Sequence, residues 1–411
     1  MSLFFPLLAA TSPTASPLLT TLVALVVVYL ASKLGGELAV RLQLPAVLGE
    51  LIFGVLVGVS GLRLLGSGNE VISVLAELGV ILLLFEIGLE SDLKELLRVG
   101  PLASLVATVG VAMPFLLGTA GLIWLFGVPV LPAVFAGAAL TATSIGITAR
   151  ILGDLGKVNT TEGQVIIGAA ILDDILGIII LAVVLGVTRD GAVSPLGLAY
   201  TTFVATGFLV AAIFLGRLFA PFFVKVVNRL RTRGDLIVSA LVFAFTLAYL
   251  AQALGSEAIL GSFAAGLVLA ETEKRDDLER RLKPVADVFV PVFFVNVGAT
   301  TDLSVLNPFN PQTQQGLPIT LFLLVAAIVG KVASGYVLRP AKPVNRMAIG
   351  FGMIPRGEVG LIFVGQGVGV PGLNPALLTA IVIVVIVTTF LAPPLLRYAI
   401  ARGGATRLET G

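Results

Sequence analysis

Long apolar runs separated by short polar connections dominate the chain from Pro17 to its C-terminal end. The breaks between them fall at Gly, Pro and charged residues, and most runs are long enough to cross about 30 Å of hydrocarbon as a helix. This pattern predicts an all-α polytopic membrane protein with thirteen transmembrane helices. We place these spans at 17–34, 45–62, 71–91, 103–127, 130–152, 163–188, 196–223, 234–254, 257–271, 286–303, 318–338, 345–369 and 375–399.

The basic residues fall almost entirely on one side of this predicted topology. Of the 26 Lys and Arg residues, 21 lie in the odd-numbered connections or the C-terminal tail, and only Arg63 and Arg189 lie in the other connections. The remaining three, Arg217, Lys331 and Arg356, lie inside apolar spans. Because cytoplasmic connections are enriched in Lys and Arg, we expect the N-terminus outside and the C-terminus in the cytoplasm.

The composition narrows the class of protein and the chemistry open to it. The chain is 57% hydrophobic and only 12% charged, whereas soluble domains carry about 25% charged residues. It contains neither Cys nor His, which excludes disulfides, thiol chemistry and imidazole ligands. A proton carried near neutral pH must therefore bind to a carboxylate or a lysine whose pKa has been shifted.

Two adjacent carboxylates, Asp173 and Asp174, lie near the middle of the sixth predicted span. An ionised carboxylate at the centre of a membrane helix costs roughly 2.5–3.5 kcal/mol on insertion, so the two together oppose insertion by about 5–7 kcal/mol. Neighbouring helical positions point about 100° apart, which argues against the shared-proton dyad of an aspartyl protease. Lys331 is the available counter-charge for one of them. That pair either only neutralises two buried charges or takes part in a coupled protonation.

Two predicted spans are interrupted by residues that weaken a helix. Span 5 has Thr143 and Ser144 in its Gly- and Thr-rich centre, and span 12 contains PRGEVG at 355–360. Taken singly, each is also typical of a kinked packing helix. Spans 5 and 12 are seven spans apart along the chain. Because seven is odd, equivalent spans cross the membrane in opposite directions, as two inverted six-helix repeats require. Matched interrupted helices in inverted halves indicate a substrate site near the midplane.

The other ionisable residues within or near the predicted spans fall into two groups. Arg356 and Glu358 sit two positions apart in span 12, where they either pair or compensate the exposed termini of the half-helices. Glu50, Glu86 and Glu257 lie nearer the predicted membrane edges, where snorkelling or solvation by a loop accounts for them. These three are not predicted site residues.

At these positions the chain resembles the bacterial monovalent cation:proton antiporter superfamily, specifically its double-aspartate, electrogenic NapA-like branch. Glu86 departs from the pattern, because an apolar residue is expected there. The matching motifs follow one another in family order from residue 45 onward. They are PAVLGELIFGVLVG (45–58), GLE (88–90), TATSIGITAR (141–150), LDD (172–174), GK (330–331) and PRGEVGLI (355–362).

The resemblance implies a sodium/proton antiporter fold in which the two interrupted helices cross. It implies a dimer-interface domain at 17–91 (spans 1–3) and 234–303 (spans 8–10), which holds a homodimer in the lipid bilayer. It further implies a core ion-transport domain at 103–188 (spans 4–6) and 318–399 (spans 11–13), with 196–223 as the linker helix (span 7). The core would move like an elevator. No cofactor and no nucleic acid are expected.

The resemblance also implies roles for individual residues. By position, Asp174 is the principal carrier of the cation and the proton, and Asp173 is the partner of Lys331. Thr143 and Ser144 would supply further oxygens to a sodium ion bound at Asp174. The protein would then be no enzyme but a secondary transporter that exchanges Na⁺, or Li⁺, for H⁺, with two protons moved per sodium ion.

Two alternatives remain open from the sequence. One is a potassium/proton antiporter of the Kef type, and the other is a sodium-coupled solute symporter on a related inverted-repeat fold. An anionic solute would need cationic anchors, and Arg356 is the sole candidate. We expect the protein in a bacterial inner membrane or another internal membrane, where such exchange contributes to pH homeostasis.

Overall fold

A computed structural model describes most of the chain, and all structural statements refer to its described residues. These residues are 17–42, 44–65, 69–190, 207, 210–212, 214, 216, 218–225, 227–229, 235–254, 258–301, 303, 311–337, 344–356 and 373–403. Within these ranges the secondary structure is helical, and no strand occurs. The predicted linker span at 196–223 lies largely outside the described residues.

The helices with defined bounds number thirteen in the described part of the chain. They are α1 (Pro17–Arg41), α2 (Ala46–Val57), α3 (Glu70–Glu90), α4 (Leu93–Phe126), α5 (Val130–Ala139), α6 (Ile145–Asp154), α7 (Thr161–Asp190), α8 (Asp235–Ala253), α9 (Ala258–Ala270), α10 (Arg275–Thr300), α11 (Pro311–Tyr336), α12 (Arg346–Gly352) and α13 (Pro375–Gly403). Within the same residues, seven helices are long and apolar enough to cross a membrane. The protein is therefore a multi-pass helical membrane protein.

Helices and predicted spans correspond in order but not one to one. Span 5 is two helices, α5 and α6, separated by a non-helical stretch at 140–144. Helix α4 begins ten residues before the predicted span, and α10 takes in part of the charged connection that precedes span 10. Hydropathy detects only the apolar part of a helix, so polar first turns escaped it. The number of thirteen spans remains a prediction.

The chain divides into two compact units. The first comprises Met1–Leu83 with Lys283–Ser304, and the second comprises Leu84–Leu282 with Val305–Gly411. Every predicted site residue that the structure describes lies in the second unit.

Glycines allow the backbones of the first unit to approach closely. A Cβ atom on Gly35 of α1 would lie 2.4 Å from the Gly49 carbonyl oxygen of α2, and one on Gly49 would lie 1.9 Å from the Gly35 carbonyl oxygen. Likewise, a Cβ on Gly54 would lie 2.4 Å from the Val295 carbonyl oxygen of α10. Small residues at these contacts let helices pack at short range, as is common inside membranes.

This close contact between α1 and α2 buries Glu50, which corrects one prediction. Glu50 is only 5% exposed, and the Ser32 hydroxyl of α1 donates a hydrogen bond of 3.1 Å to its Oε1. The prediction of a solvated or snorkelling carboxylate was wrong because α1 covers the face of α2 that carries this residue. Glu86 is partly exposed on α3, and Glu257 lies outside the described residues.

The second unit is built around the long helices α4, α7, α11 and α13. Helix α4 packs against α5, α7 and α11, and α11 packs in turn against α12 and α13. A buried apolar cluster joins α4, α5, α11 and α13. Its larger members are Leu122, Phe135, Leu140, Leu323, Leu377, Ile381 and Val384. The unit thus holds the interrupted span and the aspartate helix in one packed body.

The two adjacent glycines of α1 give a matched test of its contact with α2. We expect Gly35→Ala to lower the free energy of unfolding by about 1–3 kcal/mol, because its Cβ overlaps the Gly49 carbonyl oxygen. In Gly36→Ala the nearest atom to the new Cβ lies 3.8 Å away, so this variant should be as stable as wild type. The measurement is the fraction of purified protein still monodisperse by size exclusion after heating. Equal thermal stability of the two variants would contradict the close contact.

Candidate functional site

Helix α7 holds both aspartates of the predicted site in the protein interior. Thr160 caps its N-terminus, since the Thr160 hydroxyl oxygen accepts a hydrogen bond of 3.1 Å from the Gly163 amide. Asp173 is 0% exposed and Asp174 is 2% exposed. Successive positions on a helix differ by about 100° in direction, so the two carboxylates face different neighbours.

Lys331 of α11 forms an ion pair with Asp173. Its Nζ donates to both carboxylate oxygens, at 3.0 Å to Oδ1 and 3.2 Å to Oδ2, and neither side chain is exposed. Gly110 of α4 lies beside the lysine, because a Cβ added there would be in ordinary contact with Lys331 Nζ at 3.7 Å. The structure therefore brings together the two residues that the sequence analysis paired.

The first interruption lies between α5 and α6, and its residues are fully buried. The Thr143 hydroxyl donates 3.2 Å to the carbonyl oxygen of Met353, just beyond the end of α12. Four positions after Ser144, the Thr148 hydroxyl donates 2.8 Å to the carbonyl oxygen of Gly352, the last residue of α12. Span 5 is thus hydrogen-bonded to the end of α12 both from within its break and from α6, the helix that follows the break.

The second interruption begins where α12 ends and is bonded to the first through the backbone. The Ser144 amide, at the N-cap of α6, donates 2.8 Å to the Pro355 carbonyl oxygen. The Arg356 guanidinium donates 2.8 Å from Nη1 to the Ala142 carbonyl oxygen. Each break therefore satisfies backbone groups that the other break exposes, as buried irregular backbone inside a membrane requires.

Arg356 is completely buried at this junction. The Thr389 hydroxyl of α13 donates to its carbonyl oxygen, and within the described residues its Nε and Nη2 have no hydrogen-bond partner. Residues 357–372 lie outside the described part of the chain. The predicted role of Glu358, including any pairing with Arg356, therefore stays a prediction.

Four ionisable groups act on one another at this place. Lys331 interacts electrostatically with Asp173, Asp174 and Arg356, and Arg356 also interacts with Asp173. When all four are ionised, their charges cancel. Binding one more cation, or one proton on a carboxylate, therefore changes the net charge of the cluster by one.

The oxygens around the breaks suit a hard monovalent cation. The Thr143 hydroxyl donates its hydrogen bond to the Met353 carbonyl oxygen. The lone pairs of the hydroxyl oxygen therefore remain free to accept a hydrogen bond or to coordinate a cation. Carboxylate, hydroxyl and carbonyl oxygens are the ligands that such cations prefer. The buried carboxylates are groups that can take up a proton, and the oxygens at the break are of the kind that a small cation prefers.

Two contacts of the site were not predicted from the sequence. The sequence analysis gave Thr148 no role, whereas its hydroxyl joins α6 to the last residue of α12. The Asn345 side-chain oxygen caps α12 by accepting a hydrogen bond of 3.0 Å from the Ala348 amide. The backbone amide of Asn345 donates a hydrogen bond of 2.9 Å to Oε1 of the buried Glu162 on α7. An Asn immediately before an apolar run is an N-cap signal that would have found Asn345. No local pattern indicates its contact with Glu162.

Comparison with known proteins identifies the family of the chain. The chain matches the family described as sodium/hydrogen exchanger, transmembrane, over residues 22–398. It is 56% identical over 409 residues to the high-affinity Na⁺/H⁺ antiporter NhaS3 of Synechocystis sp., covering 92% of this chain and 89% of that protein. It is 35% identical to the Na⁺/H⁺-K⁺ antiporter GerN of Bacillus cereus, covering 90% of this chain and 94% of that protein.

A solved structure extends the likeness to the fold. The sodium proton antiporter MjNhaP1 of Methanocaldococcus jannaschii superposes with a TM-score of 0.66 at 19% identity, covering 94% of this chain and 98% of that one. The family match covers most of the chain, and so do the two relatives. The chain therefore belongs to the transmembrane sodium/hydrogen exchanger family.

Proposed function

We propose that the protein exchanges Na⁺, or Li⁺, for H⁺ across a membrane, with Asp174 as the group that binds either the cation or a proton. The observation that carries this proposal is the buried Asp173–Lys331 pair on α7 and α11. The pair adjoins Asp174 in sequence and interacts electrostatically with Arg356, which lies at the two hydrogen-bonded interruptions. The names of two relatives, NhaS3 and GerN, support sodium/proton exchange.

The charges of the cluster give the proposed stoichiometry. With Asp174 protonated and Lys331 protonated on Asp173, the four groups sum to one positive charge. With Na⁺ bound at charged Asp174 and Lys331 neutral, the sum is zero. Two protons therefore replace one sodium ion, and each cycle moves one net charge. The empty site, with neutral Lys331, carries one negative charge, which opposes its crossing of a low-dielectric barrier.

The finer architecture is part of the same proposal. Thirteen spans would form two inverted six-helix repeats, with span 7 as a linker. The interface domain would hold a homodimer while the core moves like an elevator, and positive-inside orientation would place the C-terminus in the cytoplasm. The matched breaks after α5 and after α12, which bond to each other, support the repeat.

Potassium is the second candidate cation. The printed name of the GerN relative includes K⁺ as well as Na⁺, and the oxygens of the site do not by themselves exclude the larger ion. Titration of proteoliposomes with Na⁺, Li⁺ and K⁺ at several pH values, read with a pH-sensitive dye, distinguishes a sodium from a potassium exchanger.

Removal of the proposed carrier should abolish exchange. In Asp174→Asn we expect sodium-driven proton movement in proteoliposomes to fall to background, because a neutral amide neither binds a proton nor balances a cation. Asp276→Asn, which neutralises an exposed carboxylate on α10, should transport like wild type. Full sodium-driven proton movement in Asp174→Asn would reject the assignment.

The Asp173–Lys331 pair can be separated into a structural and a transport role. Lys331→Gln leaves Asp173 buried without its counter-charge, so we expect the free energy of unfolding to fall by about 3–5 kcal/mol. Asp173→Asn/Lys331→Gln removes both charges and should recover most of the thermal stability. Exchange in the double variant should no longer move net charge, because Lys331 supplies one of the two protons.

The measurement is proton movement with and without an ionophore that dissipates the membrane potential, alongside a melting curve. Electrogenic exchange at the wild-type rate in the double variant would leave the pair a purely structural role.

Thr143 should affect cation binding through its hydroxyl. We expect Thr143→Val to raise the half-saturating Na⁺ concentration by about three- to tenfold, whereas Thr143→Ser should stay near wild type because it keeps the oxygen. Thr320→Val is the matched control, since among the described residues the buried Thr320 hydroxyl bonds only within its own helix, to Gly316. Unchanged sodium affinity in Thr143→Val would remove Thr143 from the site.

A further inference from the structure

Asn345 joins three helices of the second unit at one end. Its side-chain oxygen caps α12, its side-chain amide donates 2.7 Å to the Ala399 carbonyl oxygen near the end of α13, and its backbone amide donates 2.9 Å to Glu162 Oε1 near the start of α7. Glu162 is only 4% exposed. We call Glu162, Asn345 and Ala399 the Asn345 clip. The predicted topology places all three at the cytoplasmic side.

The clip lies on the same face of α7 as the ion pair. Glu162 and Asp173 are eleven positions apart, which is about three helical turns and about 16 Å along the axis. Between them, Ile166 faces α12, because a Cβ added to Gly352 would lie 2.7 Å from Ile166 Cδ1. Helix α12 therefore lies against α7 from the clip to the interruption.

The position of α12 along its axis decides where its last carbonyl groups lie. The helix has only seven residues and is about 10 Å long. A shift of its start along the axis therefore moves its end by the same distance. That end supplies the carbonyl oxygens of Gly352 and Met353, which accept from Thr148 and Thr143.

Helix α12 also packs closely against α11 at two glycines. A Cβ on Gly335 of α11 would lie 2.1 Å from the Arg346 carbonyl oxygen, and one on Gly350 of α12 would lie 2.7 Å from the Val332 carbonyl oxygen. These backbone contacts hold α12 against α11. A directional hydrogen bond at the start of α12 adds a constraint along its axis.

We propose that Glu162 is a positioning residue for cation binding. Its carboxylate holds the Asn345 amide and thereby fixes the register of α12 against α7, so that the Met353 carbonyl meets the Thr143 hydroxyl at the site. This role rests on the proposed sodium/proton exchange.

The chemistry of substitution distinguishes geometry from charge. Glu162→Gln keeps the length of the side chain and an oxygen that accepts from the Asn345 amide. Glu162→Asp keeps the charge but is one methylene shorter, so its oxygen cannot reach the amide without a shift of α12. A positioning role ranks Gln above Asp, whereas an electrostatic role ranks Asp above Gln.

The experiment measures half-saturating Na⁺ and maximal rate in proteoliposomes for wild type, Glu162→Gln, Glu162→Asp and Glu162→Ala. We expect Glu162→Asp and Glu162→Ala to raise the half-saturating Na⁺ concentration by about fivefold or more, with maximal rates within about twofold of wild type. In Glu162→Gln the half-saturating Na⁺ concentration should equal that of wild type. The control is Glu37→Ala, whose exposed carboxylate pairs with Arg41 at 2.8 Å.

A second measurement is independent of transport. Amide hydrogen exchange of the peptide covering 344–352 should accelerate in Glu162→Asp and Glu162→Ala but not in Glu162→Gln, because only the first two release the start of α12. This readout also serves if Glu162→Ala is too unstable to reconstitute.

Three results would overturn the proposal. Unchanged sodium affinity in Glu162→Asp, together with unchanged hydrogen exchange, would show that the Asn345 clip does not position α12 for cation binding. Impairment of Glu162→Gln with retention by Glu162→Asp would assign Glu162 an electrostatic role instead. Absence of sodium-driven proton movement in wild type would reject the proposed function itself, and with it a role of Glu162 in cation affinity.

Discussion

A lysine and an aspartate held at 3.0 Å without exposure to solvent constrain the second unit of this protein. Each buried ion loses several kcal/mol of hydration, and only close pairing offsets that loss. Helices α7 and α11 must therefore stay together wherever Lys331 and Asp173 are both charged, and Gly110 of α4 lies beside the lysine. Asp174, one position further, points about 100° away from this contact. In the proposed mechanism Asp173 is the partner of Lys331, and Asp174 is left to bind the cation or a proton.

The exclusion of water from the interior also explains how the interrupted segments are bonded. A helix that stops inside a buried environment exposes carbonyl and amide groups that must find partners. Here the partners come from the other interruption, through Ser144 to Pro355 and Arg356 to Ala142. Threonine hydroxyls complete the bonding and keep oxygen lone pairs in the same place. In the proposed mechanism the same few atoms satisfy the backbone and coordinate the cation, which would explain why polar residues concentrate there.

The sequence predicted those features that a local pattern encodes. Apolar run length gave the helical order, Thr and Gly in span 5 gave its break, and the lone lysine in span 11 gave the partner of Asp173. Contacts between distant segments left no such pattern: Thr143 and Met353 are 210 positions apart, and Glu162 and Asn345 are 183 apart. Burial of Glu50 was missed for the same reason, since it depends on how closely α1 approaches. Residues outside the described ranges, such as Glu358, keep their predicted roles untested.

The chemistry of the four charged groups limits how many protons a cycle can carry. A guanidinium does not lose its proton in proteins, so Arg356 is a fixed charge at the junction. Lysine does change protonation when buried, and it is the group bound to Asp173. In the proposed mechanism Asp173 stays ionised as the partner of that lysine, which leaves Asp174 and Lys331 as the exchangeable sites. Two protons are then the most that one cation can exchange for, and because Arg356 keeps its charge in both loaded states, the net charge that this mechanism moves per cycle comes from Asp174 and Lys331 alone.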